Sequence, residues 1–115
     1  MIEETIFNFL SSKMAVPVYM EIPKNPPQKM IIVEKTGSSL SNFIKTATFA
    51  IQSYDKSLLE AAELNEELKS VIMDGIDGLI SLDEITKVEL NSDYNFTNTT
   101  TKKYRYQAVF VVTHY

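Results

Sequence analysis

The sequence predicts an α+β fold: a mostly antiparallel sheet of about five strands with two helices packed on it, in the order α-β-β-β-α-β-β. Three observations predict it. Two segments carry apolar residues at helical spacing. Five runs are rich in β-formers and are bounded by proline, glycine or asparagine. The second helical segment lies between two groups of strands, as a helix joining two hairpin units would. A length of 115 residues suggests one domain, 1–115, able to hide roughly two-thirds of its unfolded surface without cross-links.

The first helix is expected over about 2–13. Ile2, Ile6, Phe7, Phe9, Leu10 and Met14 fall mostly on one face. Glu3 and Glu4 open it and Lys13 closes it, as the helix dipole favours. Pro17 prevents continuation. "VPVYMEIP" reads as a short edge strand between Pro17 and Pro23, and "KNPPQ" as a loop. Met30 to Val33 is apolar on both faces, which marks a central or doubly covered strand. "GSSLSN" reads as a turn or flexible loop. "FIKTATFAIQSY" then returns as a strand, with Ala47, Phe49 and Ile51 on one face. The pair is expected to form a hairpin with a loop longer than two residues.

The second helix is expected over about 56–74, with an apolar stripe of Leu58, Ala61, Ala62, Leu64, Leu68, Val71, Ile72 and Ile76. Ser57 with Glu60 matches the capping box, with Asp55 as the alternative cap, and Gly75 and Gly78 offer stop signals. "DEITKVELNSD" predicts a strand with Val88 and Leu90 on one face and Ile85 on the other. "SDYNFTNTTT" is polar and turn-rich. In the last strand, "KKYRYQAVFVVTHY", Tyr104 to Val112 share one face at every second position.

Composition excludes several functions. There is no cysteine, hence no disulfide, thiolate metal site or cysteine nucleophile. The net charge is -4, from 15 acidic and 11 basic residues, where nucleic-acid binders usually show a basic excess. No run approaches the ~18 apolar residues that span a bilayer. Met1-Ile2-Glu3-Glu4 is acidic where a secretory signal carries positive charge, so a cytoplasmic product is expected.

No motif assembles a catalytic, metal or cofactor site. His114 has no nucleophile or orienting carboxylate in sequence context. "DGIDG" lacks the alternating ligands of a calcium loop and reads as a helix-ending turn. Glu60, Glu63, Glu66 and Glu67 read as a solvated helix face. Asn95-Phe96-Thr97 and Asn98-Thr99-Thr100 match the glycosylation pattern but suit an ordinary loop. Lys102-Lys103-Tyr104-Arg105-Tyr106 has the interleaved basic and aromatic residues of single-strand binders. On a strand, however, charges and rings alternate to opposite faces. Lys103 and Arg105 are therefore expected on a solvated face or edge.

The chain as a whole carries a further pattern. Its cues are "VYMEIP" with the later prolines, the apolar strand ending in "EKTG", the junction "QSYDKSLLEAAEL" and the closing aromatic strand. In these it resembles the small neck and tail-completion proteins of siphophages of Gram-positive bacteria, and specifically the lambda-type tail terminator fold. The resemblance implies a non-enzymatic virion protein, assembled in the host cytoplasm, that forms a ring, typically hexameric. The ring caps the tail tube and joins tail to head, so the implied partners are copies of the chain, the tail tube protein and head or neck proteins. No membrane, cofactor or specific nucleic-acid binding is implied, and an acidic pore would agree with the net charge. Ring closure needs head-to-tail contacts. Two expected loops, Gly37 to Asn42 and Ser92 to Thr101, carry or adjoin aromatics, which makes Phe43, Tyr94 and Phe96 interface candidates. The alternative is that these rings fold back on their own domain. Rival readings are another neck or minor tail component, such as a head-closure protein, and a single-stranded nucleic-acid-binding module.

Overall fold

In the computed structural model, which describes residues 1–115, the fold is the expected one. Helix α1 (Ile2–Lys13) is followed by strands β1 (Val18–Tyr19), β2 (Met30–Ser41) and β3 (Ile44–Asp55). Helix α2 (Leu58–Met73) then leads through a 3-10 turn at Leu79–Ser81 to β4 (Ile85–Asn95) and β5 (Tyr104–His114). The five-stranded sheet has the order β1-β2-β3-β5-β4. Every pairing is antiparallel except β1 with β2, which is parallel and extends over Ile31 and Ile32 alone.

Both helices pack on one face of the sheet. Ile6, Phe9 and Leu10 of α1 and Leu64, Leu68 and Ile72 of α2 meet Ile31, Val33, Phe49, Ile51, Phe110 and Val112 in one core. The alternate residues Met30, Ile32 and Tyr54 form a small second cluster with Tyr19. That explains why Met30 to Val33 is apolar throughout: each face of the strand has its own cluster to fill. No helix is long and apolar enough to cross a membrane.

The ends of α2 show how side chains set boundaries. Ser57 is the N-cap: its hydroxyl accepts from the Glu60 amide at 3.2 Å and donates to the Glu60 carboxylate at 2.9 Å. The C-terminal stop is not a left-handed glycine, since no glycine has positive φ. Instead Asp74 turns the chain, its carboxylate accepting from the amides of Ile76 and Asp77. Those two bonds hold the Asp74 carboxyl below its ordinary pKa. Gly78 is needed for space, because a Cβ there would lie 2.1 Å from the Asp74 carbonyl oxygen.

Four local expectations are corrected. Gly37 to Ser41 continues β2 instead of forming a loop, and the hairpin turn is only the two residues Asn42 and Phe43 between the paired Ser41 and Ile44. Ser92 to Asn95 likewise belongs to β4, so Tyr94 is a strand residue. A bulge between Ile85 and Lys87 resets the alternation, which brings Ile85 and Val88 to the same core. Finally, β5 lies between β3 and β4, so Arg105 is on no edge and is half-buried, whereas Lys103, just before β5, is solvated as expected.

Candidate functional site

The β2–β3 hairpin presents the most unusual surface of the molecule. Its turn residues Asn42 and Phe43 have φ of 51° and 65°. Positive φ at both central positions is the backbone of a type I′ turn, whose twist matches the strands that it joins. Asparagine tolerates that conformation; phenylalanine does so only with strain. Phe43 is also 100% exposed. Leu40 and Ile44, exposed at 67% and 54%, lie beside it on opposite faces of the hairpin, since Leu40 pairs with Lys45 and Ile44 with Ser41. The hairpin reaches past the rest of the sheet, since β5 pairs with β3 only as far as Lys45 opposite His114.

Beside the tip, on the helix-bearing side, lies a shallow groove of about 350 Å³. Ile2, Lys35, Leu40, Lys45 and His114 contribute to its lining. The Lys35 ammonium bonds the Glu3 carboxylate at 3.0 Å, fastening α1 to β2. This contact is the main cause that lowers the Glu3 pKa. His114 bonds the neighbouring Tyr115 carbonyl through Nδ1 at 2.9 Å and is only partly buried.

The outer edge of β2 is largely free. Strand β1 covers it at Ile31 and Ile32, and from Glu34 to Ser41 the strand is exposed. A bulge between Lys35 and Gly37 interrupts its register. An edge of this kind offers a row of backbone donors and acceptors to another strand.

The other two interface candidates sit elsewhere. Tyr94 and Phe96 meet edge-to-face, with ring centroids 5.8 Å apart, and both keep about two-fifths of their surface exposed, 42% and 41%. Both also contact their own chain. The Arg105 guanidinium lies 4.3 Å from the Phe96 centroid, and its Nε donates to the Phe96 carbonyl at 2.7 Å. It also donates to the Tyr54 hydroxyl at 2.6 Å. The Tyr94 hydroxyl accepts from Gln107, whose own carbonyl accepts from Gln52 at 2.8 Å. Phe43, Tyr94 and Phe96 therefore do not form one patch.

On the opposite sheet face Lys69 is held between the Asp93 and Glu66 carboxylates, and the bond to Asp93 is the main cause of its raised pKa. Asn65 Nδ2 donates to the same Asp93 at 3.2 Å. These contacts dock α2 on β4. No group of three or more acidic or histidine ligands converges on a metal position.

The sequence reading missed Leu40 and Ile44 because "GSSLSN" looks like a loop. The available signal was Asn42, a residue suited to left-handed turns, set between two runs that each contain a β-rich core. No protein-family model matches the chain, and no curated protein matches it.

Proposed function

We propose that this chain is a structural, non-enzymatic protein that assembles with copies of itself, and that, as its sequence resemblance implies, the assembly is a ring that terminates a phage tail tube and joins tail to head. One observation carries the self-assembly: a fully exposed Phe43 on a strained turn, flanked by exposed Leu40 and Ile44. Exposing these apolar side chains at a hairpin tip gains nothing in water, and an isolated subunit gains nothing from the backbone strain. A neighbouring subunit that buries the tip would offset both. Aromatic residues, Phe among them, are also enriched at protein interfaces. The exposed edge of β2 adds a second, backbone-mediated contact on the same hairpin. A contact in which one surface meets a different surface of the next copy closes into a ring when the rotation allows. The ring's hexameric number, its tail tube and head partners and its place in the virion rest on the resemblance alone.

Negative-stain images and light scattering of the purified protein at high concentration test the reading. Rings with a central hole are expected, and Phe43→Asp is expected to give monomers with an unchanged circular dichroism spectrum. A monomeric parent protein, or intact rings in the Phe43→Asp variant, would overturn it.

A further inference from the structure

At the end of the sheet opposite the hairpin tip, the first residues of β2 and β5 and the last of β3 enclose a cleft of about 190 Å³. Its apolar walls come from Pro26 and Pro27 of the loop before β2, from Met30, and from Tyr54 and Tyr104. Lys56, Lys102 and Lys103 also line it. The basic-aromatic strip of the sequence is thus divided. Arg105 is consumed by contacts to Tyr54 and Phe96, while the two lysines and Tyr104 go to the cleft.

We infer that this cleft binds a nucleoside phosphate, with the flat base among the prolines and the half-buried Tyr104, over a floor of buried Met30 and Tyr54, and the phosphate among the lysines. The charge balance favours an anion. Three lysines line the cleft in a chain whose net charge is -4. Lys102 and Lys103 take part in no ion pair, and Lys56 pairs with Glu60 at 3.7 Å. The single carboxylate in the lining, Asp55, is already engaged. It accepts from the Lys56 amide at 2.7 Å and faces Lys29 at 3.9 Å, with its side chain 7% exposed.

The backbone points the same way. Lys102 has a φ of 54°, a conformation that glycine or asparagine would adopt at less cost. That φ closes the turn bridged by Asn98 and Lys103 and sets Lys102 at the cleft without a counter-ion. The size argues for a small occupant: ligand pockets usually start near 300 Å³. A cleft this size holds a planar ring while the phosphate stays at the lysine rim. Stacking on aromatic side chains tolerates any base, so selectivity among bases is not expected.

Amide chemical-shift titration with AMP, inorganic phosphate, adenosine and a short single-stranded oligonucleotide tests the site. AMP is expected to shift the amides of Tyr54, Lys56, Lys103 and Tyr104, and the double variant Lys102→Ala/Lys103→Ala to weaken it by about tenfold or more, the loss of at least one charge-assisted contact. Tighter binding of the oligonucleotide at those amides would identify a strand end as the source; equal or weaker binding would identify a free nucleotide. Inorganic phosphate binding as tightly as AMP would overturn the stacking role, and adenosine doing so would overturn the lysine role. Absent shifts, or an unaffected double variant that keeps its circular dichroism spectrum, would overturn the site. Because Phe43 lies at the other end of the sheet, Phe43→Asp is expected to leave these titrations unchanged.

Discussion

Phe43 sits where the backbone wants glycine and water wants a polar group. A left-handed conformation costs a non-glycine residue about 1–2 kcal/mol, while glycine loses about 0.5–1 kcal/mol of chain entropy on folding. The first effect is the larger, so Phe43→Gly is expected to stabilise the isolated subunit by about 0.5–1 kcal/mol. Urea unfolding of dilute protein would read this as a raised midpoint. A lowered midpoint would mean that the ring packs on its own chain. At the other sheet end, Asn95 and Asn98 show a quieter use of side chains. Asn95 accepts from the Thr97 amide, and Asn98 from those of Thr100 and Thr101. The sequon residues build the turn that precedes β5.

At the scale of elements, the turn after α2 is held by a carboxylate and a missing side chain. A methyl group at Gly78 would meet the carbonyl oxygens of Asp74 and Ile72 at 2.1 and 2.7 Å. Gly78→Ala is therefore expected to destabilise the fold by about 1–3 kcal/mol, as overpacking does. At Gly75 an added Cβ meets nothing, so Gly75→Ala serves as the control, read by the same urea midpoints. Element type was legible in the sequence throughout. The helices announced themselves by apolar spacing, and Ser57 with Glu60 marked the cap that the structure uses. Strand lengths were not legible. Ser38, Ser39 and Ser41 have weak strand preference, yet β2 runs through them because pairing with Ala47, Thr46 and Ile44 supplies the partner bonds. The bulge after Ile85 was equally hidden, since an alternation read from composition carries no mark where one residue is skipped. Both effects bear on the candidate site, since they hide that Leu40 and Tyr94 are strand residues.

For the whole molecule, a two-layer build leaves one sheet face without helices and places every helix contact on the other. The link between α1 and the sheet includes one ion pair, Glu3 with Lys35, and its pH dependence has a fixed sign. The folded-state pKa of Glu3 lies below its ordinary value of 4.5. The stabilisation is therefore complete above that value and is lost as the pH falls below it. The gap in thermal midpoint between the parent and Glu3→Gln is expected to hold steady above pH 4.5 and to close under acid, as a midpoint series would record. A gap that is independent of pH would assign the link to packing alone.

The two-residue length of β1 has a consequence in the exchange of amide protons with solvent. The Ile31 amide points to the outer side of β2, where it donates to the Pro17 carbonyl. The strand alternates, so beyond the short reach of β1 every second amide along the exposed run faces open water. Deuterium uptake by the isolated subunit is then expected to rise and fall with a period of two from Glu34 to Leu40, apart from a phase slip at the bulge. If a neighbouring strand joins that edge on assembly, the fast members of the series fall silent and the rhythm disappears, giving a residue-by-residue signature of where one copy ends and the next begins.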